Sequence, residues 1–417
     1  MHDSPYGIRR PASRTLIVRA LLTLFALLLP TPVLAQFTIP GFELVHNAPA
    51  DTVLETPHIR DAGTVWVDMI DHAQHSIDLE QFYVSGKKGS ALDRVIGALE
   101  AAGKRGVHIR FLMERKGLSM SDTATLDRLK AIPNLTFRTI AWSDIAGSGI
   151  IHAKFFIVDG HAAYIGSQNF DWRSLSQIDE TGLRITDRRI AAQVQQIFNI
   201  DWRMQARIAA GKPVPPLRTI DYAPITGNAF LVASPNAYDP PGVGDSQATL
   251  VKLIGSAHRA IDIEVMEYST TAFGGGEYHV IDDALRAAAK RGVKVRLLIS
   301  DWDLTEKRLP GLIALSHVPN IDIRVSRIPQ AASGFIPYAR TVHTKAMTID
   351  GTLAWIGTSN WEGGYLDTSR NLEVVLRNEK MANEVEAMHQ RLWNASYTAP
   401  LAEALKWPRA HPGGNAE

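Results

Sequence analysis

The feature that most constrains this chain is a segment that occurs twice. "HAKFFIVDGHAAYIGSQNF" begins at His152 and "HTKAMTIDGTLAWIGTSNW" begins at His343, 191 residues later. Both fit HxKx₄Dx₆G[ST]xN. At roughly one in twenty per fixed position, a chance match is on the order of 10⁻⁷ per window, so two matches are not coincidence. The surroundings repeat as well. "SIDLEQFYVS" (76–85) is echoed by "AIDIEVMEYS" (260–269), and both alternate as buried strands do. Helical runs follow, with Leu92, Val95, Ile96 and Leu99 in one copy and Ile281, Ala284, Leu285 and Ala288 in the other. That spacing buries one helix face. Both runs stop at Lys-Arg-Gly, where glycine suits a helix C-cap, and continue into the strands "VHIRFLM" and "VKVRLLI". "NLTFRTI" then matches "NIDIRVS".

A strand–helix–strand order in each half predicts an α/β fold of two pseudo-twofold-related lobes, layered as a helix–sheet sandwich. The expected boundaries are an N-terminal lobe at 36–212, a Pro-rich linker at 213–221, a C-terminal lobe at 222–405 and a tail at 406–417. Residues 1–35 differ in character. Arg9, Arg10, Arg14 and Arg19 precede the apolar run "ALLTLFALLL", and Val33 and Ala35 suit an A-x-A-like cleavage. This predicts a signal peptide for the general secretory route and a periplasmic or secreted product. The alternative is an uncleaved membrane anchor, against which stand the shortness of the run and the prolines at 30 and 32. Cleavage removes four arginines and one aspartate, taking the formal charge from +1 to −2. The mature chain therefore has no global attraction for polyanions, although a local cationic groove could bind one. With no cysteine, disulfides, thiol catalysis and thiolate metal sites are excluded.

Within each repeated segment, His and Lys stand two apart, so a strand aims both to one face. Asp159-Gly160 signals a turn, after which Ser167 and Asn169 are again two apart. The second copy offers His343, Lys345, Asp350, Thr358 and Asn360. These groups suit a phosphodiester: lysine for the non-bridging oxygens, Asn and Ser or Thr as directional donors, and neutral imidazole as the attacking group. No carboxylate cluster suits magnesium and no HExxH suits zinc, so no cofactor and no obligatory metal are expected. One copy cannot complete the cycle, because the leaving oxygen needs a proton when the first imidazole attacks. Two copies facing each other supply both a nucleophile and an acid/base.

Both segments resemble the HKD motif of the phospholipase D superfamily, and the likeness covers nearly all of the mature chain. The resemblance implies two α/β lobes sharing one active site, a phosphohistidine intermediate, and catalytic half-sites His152–Lys154–Asn169 and His343–Lys345–Asn360. "GSQNFDWRSLSQ", "IDDALRAAAKRGVKVRLLIS", "IPYAR" and "IGTSNWEGGY" are most similar to animal phospholipases D three and four, a branch of 5′ exonucleases on single-stranded nucleic acid. That branch is typically membrane-anchored with luminal disulfides; with an expected cleavable signal and no cysteine here, its location and processing do not carry over. The implied substrate is single-stranded nucleic acid, with phospholipid headgroups as the alternative. Superfamily precedent points to His152 as nucleophile. Glu180 and Glu373 are candidates to hold the far nitrogen of the imidazole in their own half. Asp159 and Asp350 are expected to be structural, since a carboxylate beside the phosphate would repel it. Arg340 is a candidate phosphate contact, and Phe82, Trp172, Tyr268 and Trp361 are candidates to stack bases, with core packing the alternative. Oligomeric state is not readable.

Overall fold

A computed structural model describes residues 36–217 and 227–414. The expected signal peptide, residues 218–221 of the linker, residues 222–226 of the expected C-terminal lobe and the last three residues of the tail lie outside them. The described residues form one compact unit.

Two large mixed sheets organise it. The first runs, in spatial order, Thr38–Ile39, Phe42–Asn47, Glu180–Ile185, Ala162–Gly166, Phe155–Val158, Ser76–Gln81, His108–Glu114 and Leu135–Ile140. The second runs Gly244–Asp245, Ala229–Ser234, Asn371–Leu376, Leu353–Gly357, Lys345–Ile349, Ala260–Val265, Lys294–Ser300, Ile321–Ser326 and Thr398–Pro400. From Phe42–Asn47 to Leu135–Ile140 and from Ala229–Ser234 to Ile321–Ser326, the strands of the two sheets correspond one for one; Thr398–Pro400 has no counterpart in the first sheet. In each sheet the first repeat strand runs parallel to the strand after its helix and antiparallel to the motif strand. The parallel pairs require a helical crossover, which the repeat supplies.

Those crossovers are Ala91–Lys104 and Val280–Lys290. Leu92, Val95, Ile96 and Leu99 are buried in one, and Ile281, Leu285 and Ala288 in the other. Gly106 and Gly292 both adopt φ of +93°, a left-handed stop that a side chain would strain. The preceding arginine has a second use. Arg105 Nη2 donates to the carbonyls of Ile70 and Asp71, closing helix Ala62–Asp71, and Arg291 Nη2 donates to those of Ile254 and Ala257, beside helix Ser246–Gly255. The repeated Lys-Arg-Gly thus ends one helix and satisfies the orphan carbonyls of its neighbour.

The inner faces of the sheets share one core. Ile157, Ile165, Leu183, Leu231, Ile356, Leu372 and Val374 pack together, joined by Ile190, Val194 and Ile197 of helix Arg188–Ala209 and by Met381 and Val385 of helix Glu379–Trp393. Each such side chain contributes about 1.5–3 kcal/mol by leaving water. Separate apolar clusters bind helices to the two outer faces. Because both faces of each sheet are covered, the first repeat strands have no wet side, and Asp78, Glu80, Asp262 and Glu264 are all buried in them. The first strand is also shorter than the sequence suggests. It stops at Gln81, and Val84–Ser85 leaves to pair with Phe170–Asp171.

Candidate active site

The two motifs meet where the sheets meet, and each histidine is held by the other half of the chain. His152 and Ala153 donate their N–H groups to the carbonyl of Arg370 at 3.0 and 2.9 Å, and His343 donates to the carbonyl of Asp179 at 2.9 Å. The return bonds run from Arg370 N to Ile150 O and from Asp179 N to Thr341 O. These short cross-lobe ladders fix both imidazole backbones.

The side chains cross over too. His343 Nδ1 lies 2.8 Å from Glu180 Oε2, and His152 Nδ1 lies 3.1 Å from Asn371 Oδ1. Glu180 and Asn371 are the first residues of equivalent strands. This corrects the expectation that Glu180 and Glu373 each serve the imidazole of their own half. Glu180 reaches across to His343. Glu373 touches neither imidazole; it accepts hydrogen bonds from Ser246 and Ser359, and burial pushes its carboxyl up to about 7. The sheet register gives the reason. Gly166 pairs with Gly182 and Gly357 with Glu373, so Glu373 matches Gly182, and the counterpart of Glu180 stands two residues earlier, at Asn371.

The other motif residues separate by role. Lys154 and Lys345 are buried, and their Nζ atoms donate to the carbonyls of His152 and His343 at 2.5 and 2.6 Å. Burial lowers both ammonium pKa values, Lys345 to about 7. Ser167 and Thr358 are buried as well, and brace strands rather than line the cavity. Ser167 Oγ accepts from Thr181 N, while Thr358 Oγ1 accepts from Leu372 N and donates to Asn371 Oδ1. Asp159 and Asp350 sit at turns outside the cavity with φ of +51° and +55°. Each accepts three backbone N–H groups, from residues 74–76 and 258–260 respectively.

Both imidazoles line one cavity of about 550 Å³ together with Asn169 and Asn360. Burial and the nearby lysines hold both histidines well below the usual imidazole range, which favours neutral rings. Glu180, pushed up to about 7 by burial and opposed by Lys345, is the one carboxyl in contact with an imidazole here. The asparagines differ. Asn360 Nδ2 donates to Glu267 Oε2 at 2.7 Å, and Glu267 lies 3.2 Å from Arg308, whereas the residue matching Glu267 in the first half is Tyr83, whose hydroxyl donates to Asp171.

Of the aromatic candidates only Phe82 lines the cavity. Trp361 and Tyr268 are core residues, Tyr268 donating to Asp282, and Trp172 packs under the ammonium of Lys87. Arg340 does not face the cavity; it is spent on the carbonyls of Pro329 and Ala50 and on Gln177, tying loops together. The other rings that line the site, Tyr83, Trp302, Tyr338 and Tyr365, come from separate segments between the main strands and helices, as do Met120, Arg173 and Glu267; Met120 and Trp302 lie in short 3-10 helices. Tyr83 and Glu267 both follow the first repeat strand by two residues, and Arg173, Tyr338 and Tyr365 lie in "GSQNFDWRSLSQ", "IPYAR" and "IGTSNWEGGY", whereas Met120 and Trp302 carried no such signal.

Two imidazoles converging from equivalent lobes, each with a fixed Nδ1 and over a buried lysine, define a class of twin-motif phosphodiester-cleaving enzymes. The chain belongs to the phospholipase D superfamily and is a phosphodiesterase. Residues 66–202 and 250–393 match the family described as "Cardiolipin synthase, PLD-like domain". Among relatives, "Phospholipase D Z" of Dictyostelium discoideum is 33% identical over 369 residues, covering 81% of this chain and 85% of that protein. "5'-3' exonuclease PLD3" of Xenopus laevis is 30% identical over 391 residues, covering 82% and 77%. The solved phosphatidylserine synthase of Haemophilus influenzae Rd KW20 superposes with a TM-score of 0.56 at 11% identity, covering 84% and 88%, and so shares the fold.

Proposed function

We propose that this chain is an exported hydrolase of single-stranded nucleic acid, 5′ exonuclease-like, working through a phosphohistidine and without an obligatory metal. The observation that carries the substrate is the cavity lining: Phe82, Tyr83, Trp302, Tyr338 and Tyr365 surround the two imidazoles. Rings of this kind stack any base, at about 1–3 kcal/mol per base, which suits sequence-independent removal of nucleotides. One neutral imidazole attacks phosphorus as the P–O bond breaks, and the leaving oxygen takes a proton from the other. That second imidazole then takes a proton from water, whose oxygen displaces the first histidine. His152, Lys154 and Asn169 form one half-site and His343, Lys345 and Asn360 the other, with Glu180 and Asn371 fixing the imidazoles.

A second reading, phospholipid headgroup cleavage, is favoured by a different observation. Met120 and Tyr338, both lining the cavity, are 53% and 57% exposed, and Phe273, 54% exposed, packs on Tyr365. Apolar side chains at a mouth suit a lipid surface. The deciding experiment presents protein lacking residues 1–35, in chelator, with a 5′-hydroxyl single-stranded oligonucleotide and with phosphatidylcholine micelles. Stepwise nucleotide release supports the first reading; lipid turnover without nucleotide release overturns it.

A further inference from the structure

The two imidazoles are held by chemically different groups. His343 faces a carboxylate, Glu180, at 2.8 Å, and His152 faces a carboxamide, Asn371, at 3.1 Å. The amide cannot be reversed without loss, because Asn371 Nδ2 donates to the carbonyl of Tyr365 at 2.8 Å and Oδ1 accepts from Thr358 Oγ1 at 2.8 Å. Its oxygen therefore faces His152, which must carry its proton on Nδ1 and present Nε2 as the reactive nitrogen.

During the first chemical step the two rings change charge in opposite directions. The nucleophile begins neutral and, once its Nε2 is bonded to phosphorus, carries a positive charge for the life of the intermediate. The acid, neutral in the empty site, takes up a proton beside the bound phosphate anion, begins the step as imidazolium and ends it neutral. A carboxylate at Nδ1 stabilises a ring that is gaining charge and opposes one that must lose it, and only differential stabilisation of this kind accelerates a step. A neutral amide orients its ring without that bias. From this asymmetry we infer that His343 is the nucleophile and His152 the acid/base, the reverse of the assignment that superfamily precedent suggests, with Asn371 as a positioning residue for His152.

The steps balance. The Nε2 lone pair of His343 forms the P–N bond as the P–O bond to the leaving alcohol breaks, and the proton on His152 Nε2 passes to that oxygen. Glu180 pairs with the cationic Nδ1–H side of phosphorylated His343. Water then gives a proton to His152 as its oxygen attacks phosphorus, and the P–N electrons return to His343. Because Glu180 stabilises the intermediate, its breakdown is the slower step, and product appears in a burst.

The inference rests on the phosphohistidine reading but not on which alcohol leaves, so the test uses bis(4-nitrophenyl) phosphate, whose leaving group departs without a proton. The unaltered protein is quenched in alkali during turnover and digested with trypsin, which separates residues 341–345 from residues 139–154. A phosphoryl adduct on 341–345 is expected. An adduct on 139–154 overturns the assignment, and turnover with no adduct on either peptide overturns the phosphohistidine reading with it. As a second measurement, H152A is expected to keep the burst and H343A to lose it; the reverse overturns the inference. With an oligonucleotide, whose leaving alcohol needs the proton of His152, N371D, which puts a carboxylate behind that ring, is expected to move the alkaline limb of the pH–rate profile upward by about one unit. A merely structural role for Asn371 would lower the rate and leave that limb in place.

Discussion

Beneath His152 the chain buries a permanent cation; at the matching position beneath His343 it buries an acid. Arg370 is wholly inaccessible, pairs with both oxygens of Asp201 at 2.9 Å and with Asp239 at 2.6 Å, and offers its own carbonyl to His152. Asp179 offers its carbonyl to His343 in the same way, but its side chain lies 2.9 Å from His46 and lines a small cavity with Glu264, which in turn lies 3.8 Å from His389. Glu80 and Glu264 are equivalent, and burial raises both carboxyls, most simply by keeping each protonated. The same backbone thus rests on a fixed ion-pair network around a guanidinium in one half and on carboxyl and imidazole groups in the other. The difference teaches that pseudo-symmetry here is enforced on the hydrogen-bonded main chain and relaxed in the charges that support it.

The comparison can be broken most severely at the imidazoles. His152→Ala and His343→Ala are each expected to lower oligonucleotide turnover by about 10⁴-fold, measured in single-turnover assays, because either change leaves one proton or one bond without its agent. Substantial activity in either variant would mean that the halves work independently. Next comes the buried cation. Arg370→Met strands two buried aspartates and is expected to cost about 3–5 kcal/mol in urea unfolding. Asp179→Asn should cost less, about 1–3 kcal/mol, because it weakens a hydrogen bond to His46 without stranding a permanent charge. Equal losses would remove the distinction between the two networks.

A smaller effect should appear with pH. Burial lowers His389 to about 4, outweighing Asp262, while Arg296 lowers it further; Glu264 also faces it at 3.8 Å. A depressed imidazole pKa means that the unfolded chain takes up the proton first. His389 therefore contributes stability that is fully present above its unfolded value near 6.5 and is lost as pH falls toward 4, up to about 3 kcal/mol. His389→Phe should flatten that part of the urea-midpoint profile between pH 7 and 4.5; an unchanged slope would show that His389 does not titrate as placed. The smallest effect belongs to Glu373→Gln, which should keep turnover within about twofold, since the side chain touches only hydroxyls and sits apart from both imidazoles.

Much of this organisation was legible in the sequence because it was written twice. The helix faces, the Lys-Arg-Gly stops and the convergence of two His-Lys-Asn sets follow from repeated spacing, which reports backbone geometry directly. The support of the imidazoles was not legible by the same means. Glu373 is acidic and stands at a similar distance from its histidine, yet register rather than residue type decides which side chain faces the other lobe, and the true counterpart of Glu180 is the chemically different Asn371. Arg340 misled for a related reason, since a charged residue beside a motif can be consumed by carbonyls of neighbouring loops. The cavity wall was least legible. Met120, Trp302, Tyr338 and Tyr365 lie on separate connecting segments with no shared spacing, and only folding brings them to one place.

The crossed pairing of Glu180 with His343 and Asn371 with His152 has a consequence for how such a site can vary over time. In an assembly of two identical chains, every substitution occurs on both sides at once, so a carboxylate could not become an amide beneath one imidazole and stay a carboxylate beneath the other. Joining both copies in a single polypeptide removes that restriction. Covalent continuity, more than the fold itself, is what allows one ring to specialise in bonding to phosphorus while its twin specialises in moving the proton.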